Sequence, residues 1–139
     1  MEILSSRKLD PVVMHQTVKV WSFIPKSSIY EETKGTYLEA VEEFTLAPGV
    51  RAEPHYHDTH EFFYILEGSA VIQIENEARI CRAGDFIRIR RNAVHTGKAL
   101  GDGVRALAFS VSYQDPHGPA YYPAELPEVE PEDSVSHNG

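Results

Sequence analysis

An all-β sandwich or barrel is the fold class this sequence predicts, on three observations. Between residues 17 and 111 no window carries a helical stripe of apolar side chains. Short runs rich in Val, Ile, Phe and Tyr recur there instead. The breaks between them contain "LAPGV", "EGS", "ENE", "RAGD" and "GDG", where Gly, Pro, Asn and Asp supply turn conformations.

Each run is expected to form one strand. Thr17 to Ile24 comes first, and Thr36 to Leu46 leads into "LAPGV". Glu61 to Leu66 is apolar on both parities, so burial on both faces is expected, and it ends at "EGS". Ala70 to Glu75 and Ala78 to Cys81 flank "ENE", Phe86 to Arg90 follows "RAGD", and Val104 to Val111 follows "GDG".

At 139 residues the chain fits one domain, long enough to bury roughly two-thirds of its unfolded surface. Its apolar fraction of 42%, with seven Tyr, six Phe and one Trp, is globular. A net charge of −8 argues against nucleic acid or an anionic membrane as partner and leaves small molecules or other chains. Cys81 is the single cysteine, so neither an intrachain disulfide nor a cysteine-based zinc knuckle can be built, and it is expected to be a buried small hydrophobe. No stretch approaches a membrane span and the N-terminus lacks the pattern of a signal peptide, so a cytoplasmic protein is expected. The end of the chain, "PAELPEVEPEDSVSHNG", has five acids, three prolines and no Lys or Arg. Residues 123 to 139 are therefore expected to lack a fixed fold and to act as a solubilising or loosely docked tail.

The chemistry concentrates in "PHYHDTHEFFYILEG", residues 54 to 68. Residues two apart on a strand share a face, so His55 and His57 can converge on one point, with Glu61 on the same parity. His60 has the opposite parity and is expected outside that trio. Phe63 and Ile65 continue the donors' side, while Phe62, Tyr64 and Leu66 face away. A second segment, "GDFIRIRRNAVHTGKA", turns at Gly84, runs as a strand with Ile87 and Ile89 on one face, and delivers His95 as a fourth ligand. Imidazole and carboxylate together suit Fe, Mn, Co, Ni or Zn, and four protein ligands on a six-coordinate ion leave two open positions.

These segments resemble the cupin family. Its first motif, Gly, five residues, His-x-His, three residues, Glu, six residues, Gly, is met throughout by Gly49, His55, His57, Glu61 and Gly68. In the second motif Gly84, Asp85 and His95 match, whereas Arg90, Asn92 and Ala99 stand where Pro, Gly and Asn are usual. Asn92 can take the left-handed conformation for which glycine is used there. The resemblance covers roughly residues 36 to 112. It implies a jelly-roll barrel (a double-stranded β-helix), a metal near its mouth held by three His and one Glu, and a homodimer through outer strands. On this reading residues 1–35 are an N-terminal segment with an outer or dimer-interface strand, 36–112 the barrel, and 113–139 a loop and acidic tail.

Cupins include dioxygenases, cyclases, isomerases, decarboxylases, storage proteins and sensors, so the site has to carry the function. The expected pocket lining of Phe63, Ile65, Ile87, Ile89 and Leu107 or Phe109 favours an aromatic or polyketide-like substrate over a sugar. The expectation is a metal-dependent enzyme acting on a small, oxygen-rich, enolisable substrate, either by dioxygenation, as in quercetinase-like cupins, or by cyclisation, as in cupin polyketide cyclases. Glu61 would serve as ligand or general base. The alternative is a binding or sensor module with a structural metal.

Several other residues stand beside these. His117 and Tyr121, in "DPHGPAYYP", are candidates for a lid, and His60 for a place behind a ligand. His15 and His137 are expected to be solvated. Trp21 and Tyr64 read as packing residues, and Arg88, Arg90 and Arg91 as a solvated face. Glu42 or Glu43 could enter the barrel beside a ligand His, with the strand's register undecided.

Overall fold

The computed structural model describes residues 2, 4–31, 38–111, 115 and 117–133. Among the described residues ten strands form and there is no helix, hence none long and apolar enough to cross a membrane. In chain order they are β1 (Val12–Met14), β2 (Val18–Ile24), β3 (Ala40–Leu46), β4 (His55–Tyr56), β5 (His60–Ile74), β6 (Glu77–Arg82), β7 (Phe86–Ile89), β8 (His95–Val111), β9 (Tyr122–Pro123) and β10 (Glu132–Asp133).

Two long strands organise the rest. β5 pairs with β8 antiparallel along nearly its whole length, but the register shifts between Ile65 and Glu67 and again between Gly68 and Ala70. Such irregularities bend and twist a strand pair, so the two strands turn a corner together and each serves two sheets. On one side of the corner the order is β1-β2-β3-β8-β5-β7, through residues 104–111 of β8 and 60–68 of β5. On the other it is β9-β4-β8-β5-β6-β10, through residues 95–99 and 70–74. At the corner Gly68 (φ 76) and Gly103 (φ 74) are both left-handed, and a Cβ on Gly68 would lie 1.9 Å from the Gly103 carbonyl oxygen. Only glycine allows the two backbones to approach so closely.

The expected single strands Glu61 to Leu66 and Ala70 to Glu75 are thus one strand through "EGS", and Val104 to Val111 is the second half of a strand that begins at His95. The turn residues form a bend within continuous strands and do not break them. Residues 36 and 37 of the expected Thr36 to Leu46 strand lie outside the described residues, and β3 covers the remainder from Ala40.

Between the two sheets lies a core of Val18, Val20, Leu46, Ile65, Ala70, Ile72, Val104 and Ala106, which also takes in Cys81, 4% exposed. Burial pushes the Cys81 thiol up to about 11, with Asp85 adding to the effect, which makes it inert as a nucleophile.

Described residues near both ends of the sequence are built into this frame. β2 extends the first sheet beside β3, and Trp21 Nε1 donates to the Leu9 carbonyl (3.1 Å), fastening the N-terminal segment over the outer face. The described part of the acidic tail, residues 123–133, does not lack a fold as expected: β10 adds to β6 in parallel, and the Leu126 and Pro127 carbonyls accept from Arg51 Nη2 and Gln73 Nε2, both at 2.8 Å. Its acids also meet cations, Glu128 on Arg51, Glu132 on Arg79 and Asp133 on Arg82. Backbone pairing and opposite charge outweigh the tail's proline content and self-repulsion.

Candidate metal centre

β4, the turn after it, the start of β5 and the start of β8 bring four side chains together. His55 opens β4 and pairs directly with His95, the first residue of β8. His57 follows in the turn, and Glu61 is the second residue of β5. Their rings crowd closely: centroids are 4.5 Å apart for His55 and His95, 4.7 Å for His55 and His57, and 5.3 Å for His57 and His95. His57, Glu61 and His95 present donor atoms that all lie within 4.8 Å of one another, a set that could hold a metal ion.

Each imidazole is oriented by its other nitrogen. Nδ1 meets a backbone carbonyl in all three: Glu53 for His55 (2.7 Å), Ala120 for His57 (2.8 Å) and Ala93 for His95 (2.9 Å). A carbonyl oxygen can only accept, so Nδ1 carries the hydrogen and Nε2 of the neutral ring carries a lone pair. This is the arrangement by which metal-ligating histidines are fixed. Nε2 of His57 and of His95 are buried without a well-aligned hydrogen-bond partner, a cost that a cation would remove.

The residues that depart from the family pattern hold this geometry. Asn92 has φ 63, the left-handed conformation expected of it, and its N–H donates to the His57 carbonyl (2.8 Å). Ala93 N–H donates to the Arg90 carbonyl (3.1 Å) and closes the turn. Ala93 then offers its own carbonyl to His95.

Electrostatics divide the cluster. Burial lowers His55 to about 2, with the neighbouring imidazoles His95, His15 and His57 adding to the effect, and burial likewise lowers His95. Burial would also lower His57, but the Glu61 carboxylate 3.0 Å away raises it overall. Burial would raise Glu61, yet its histidine neighbours, His57 foremost, hold it down to about 2.

The cluster stands at one end of a cavity of about 270 Å³, just under the usual range of ligand pockets at roughly 300–1,000 Å³. Phe63 and Ile65 line it, with Phe44, Val20, Leu46 and Ile72 among the other apolar walls. Leu107 and Phe109 do not. They pair with Tyr64 and Phe62, and directly opposed residues share a face, so they point outward while Ala106 and Ala108 face in. Ile87 and Ile89 do not line it either. They share the inward face with Phe63 and Glu61, but β7 is the sheet's edge: Ile89 is buried there, and Ile87 lies in a separate depression with Ile72, Ile74 and Cys81.

His60 pairs with Val111, and its charged form is disfavoured by burial and then by Arg91, Arg88 and Arg90. It belongs to neither potential metal-holding set among the described residues. His117 is exposed, its N–H bound to Asp115, and does not reach the cavity as a lid would, whereas Tyr121 lines the cavity. His137 lies outside the described residues.

Two cavity residues correct or complete the sequence reading. His15, expected to be solvated, sits in the turn between β1 and β2 and stacks on His55 with ring centroids 3.7 Å apart, beside Tyr121. Burial lowers it to about 4, with His57 assisting. Glu42 faces the cavity between Ser22 and Ala108, while Glu43 faces outward against Arg105. Burial raises Glu42 to about 7, and the Glu61 carboxylate pushes in the same direction. The apolar run "VVM" before His15 and "VKV" after its turn hint at a hairpin, but not at where that hairpin docks.

A corner-sharing double sheet with a histidine and carboxylate cluster that could hold a metal ion at one end of its cavity defines a class of β-barrel. The Cupin domain family matches residues 42–112, just over half of the chain, and the chain belongs to that family. Among solved structures it is similar to the polyketide cyclase RemF from Streptomyces resistomycificus, with TM-score 0.69 and 18% identity over 92% of this chain and 88% of that one. It is also similar to a predicted oxalate decarboxylase from Thermotoga maritima (TM-score 0.67, 19% identity, 79% and 98% coverage). KdgF from a Halomonas species is a third (TM-score 0.62, 16% identity, 79% and 93% coverage). At these identities the likeness shows the jelly-roll cupin fold. No curated protein matches the sequence.

Proposed function

We propose that the chain is a metal-dependent enzyme acting on a small, oxygen-rich, enolisable or aromatic compound, with His55, His57, Glu61 and His95 as metal ligands. The observation that carries this is the set of three imidazoles, each fixed through Nδ1–H on a backbone carbonyl: His57 and His95 present ligand atoms within 4.8 Å of one another and of the buried Glu61 carboxylate, and the His55 ring lies against both.

A divalent transition ion held there would supply Lewis acidity toward a carbonyl or enolate and, if it is iron, access to oxygen chemistry. The chain's own residues do the rest. The three backbone carbonyls keep the imidazoles from rotating, and Glu61 stays anionic against burial because His57 adjoins it. Phe44, Phe63 and Ile65 exclude water, which strengthens each charge interaction in the cavity. Glu42, raised to about 7, can give or take a proton near neutral pH and is a better acid–base group than Glu61, whose carboxylate is held down to about 2. The cavity suits a mono- or bicyclic compound. The exposed outer-face residues Phe86 and Tyr64, with Phe62 stacked on Phe86, are where a second copy would pair.

Elemental analysis of protein purified without chelators, followed by oxygen-uptake and product assays on diketones and flavonols, tests the reading. Iron with oxygen uptake supports dioxygenation; zinc with a cyclised or dehydrated product supports cyclisation. Tight ligand binding by metal-free protein, with no turnover by the metal-loaded form, would make it a sensor.

A further inference from the structure

Beside His55, His57 and His95 the cavity contains a fourth imidazole, which the family's motif does not provide. His15 comes from the hairpin turn between β1 and β2, forty residues before His55. The hairpin is fastened beside the ligand segment: the His15 carbonyl accepts from Glu53 N–H (3.3 Å) and Thr17 N–H (2.8 Å), and Gln16 Nε2 donates to Glu53 Oε2 (2.7 Å). His15 and Gln16 both hold left-handed backbone angles, φ 48 and 66, which side chains other than Gly rarely adopt. The turn is thus held by its contacts to Glu53, two residues before His55.

A ring nitrogen of His15 lies within 4.8 Å of ligand atoms of His55 and His57, and His15 Nδ1 is buried without a partner. Two roles fit such a group: a further metal ligand, or a contact to whatever binds beside the metal. Ring geometry separates them. The planes of His15 and His55 are 8° from parallel, with centroids 3.7 Å apart. An imidazole lone pair lies in the ring plane, and an ion sits on it at roughly 2.0–2.1 Å. An ion in the plane of His55 therefore stands off the plane of His15 by about the stacking distance, and the stacked pair cannot both ligate it.

We propose that His15 hydrogen-bonds an oxygen-donor chelate, of the enolate or hydroxamate kind, seated in the cavity beside the metal centre, and does not itself ligate the ion. This rests on the metal centre proposed above. Tyr121 packs beside the stacked pair, its ring centroid 4.4 Å from that of His15 and 5.7 Å from that of His55. The N-terminal hairpin thereby becomes part of the ligand site.

The test uses the full chain loaded with cobalt(II), acetohydroxamate as probe, and two variants. His15→Phe keeps a ring against His55 and removes both nitrogens; His15→Asn is smaller and retains a donor. Expected for H15F are a cobalt affinity within about threefold of the parent, an unchanged visible spectrum without probe, and acetohydroxamate binding weakened about tenfold, the factor associated with one hydrogen bond. H15N should recover part of that loss, and it provides the cobalt comparison if Phe does not fit. A hundredfold loss of cobalt affinity with an altered spectrum in both variants would make His15 a ligand and overturn the proposal. Unchanged acetohydroxamate affinity would leave it a packing residue. A parent protein that binds no cobalt would remove the metal centre and this role together, whereas a parent that binds cobalt while H15F binds the probe normally removes only the role of His15.

Discussion

Nε2 of His57 stands 3.0 Å from Oε2 of Glu61, and in the neutral tautomer fixed by the Ala120 carbonyl neither atom carries a hydrogen. Two lone pairs facing each other in a buried site need a cation between or beside them. Without metal that cation is a proton, which is why His57 is raised and Glu61 held down to about 2. With metal the proton has to leave. Metal uptake at pH 6.5 should therefore release more than half a proton per site, and affinity should fall steadily as pH is lowered below that, since the ion competes with the proton for Nε2. Calorimetry in buffers of different ionisation enthalpy measures the release. Glu61→Gln should weaken metal binding and remove the proton release together, because His57 then loses what raises it. Uptake with no proton release in the parent would contradict this.

His57→Ala and His95→Ala should each abolish metal retention and remove the stabilisation that metal gives, which for one site at a hundredfold excess over Kd is about 2.7 kcal/mol. His60→Ala, on the other face of β5, should do neither. Melting curves with and without added ion, together with metal content after gel filtration, distinguish the three. Retained metal in H95A would place the ligand set elsewhere.

Without metal, stability should peak near neutral pH, with two arms of opposite origin. His15 and His55 are lowered to about 4 and about 2, so their contribution is complete above 6.5 and is lost as pH falls through those values; His95 acts in the same sense. Glu42 is raised to about 7, so its favourable neutral form is fully present below its ordinary value of 4.5 and is lost as pH rises through 7. His57, raised, also loses its contribution on the alkaline side. Glu42→Gln keeps the neutral form at every pH. It should match the parent at pH 5 and exceed it by about 2 kcal/mol at pH 8, allowing for solvent relaxation. Chemical denaturation of metal-free protein across this range measures both arms, and an E42Q variant no more stable than the parent at pH 8 would show that Glu42 is not strained by burial.

How much was legible beforehand follows from range. His55, His57 and Glu61 lie within seven residues, so period-two geometry alone predicted that they could meet, and the spacing to Gly84 and His95 was readable as a family pattern. Leu107 and Phe109 were misplaced because "ALAFSV" is apolar on both parities. Only the register with β5, which pairs Tyr64 with Leu107, decides that the alanines face inward. His15 and the acidic tail were missed for a different reason. Each is held by distant partners, Glu53 and Tyr121 for the hairpin and Gln73 and Arg51 for the tail, and no local pattern encodes such docking.

The motif glycines should differ sharply in what they tolerate. Gly68 and Gly84 have φ of 76 and 94, so at either an Ala side chain pays the strain of a left-handed backbone, roughly 1–2 kcal/mol. Around Gly84 an added Cβ meets nothing within 4 Å, and strain is the whole cost. At Gly68 the same atom would lie 1.9 Å from the Gly103 carbonyl oxygen and 3.2 Å from the Val104 Cα, backbone atoms that cannot rotate aside. Relief requires β5 and β8 to part at the corner they turn together, and through those strands Glu61 would shift relative to His95. Gly84→Ala should thus lose about 1–2 kcal/mol and keep metal affinity within a few-fold. Gly68→Ala should lose about 4 kcal/mol or more, or fail to fold, and whatever fraction folds should bind metal more weakly. Urea unfolding and metal titration of both variants compare them, and a G68A protein as stable and as metal-competent as G84A would mean that the corner is not closed by glycine contact.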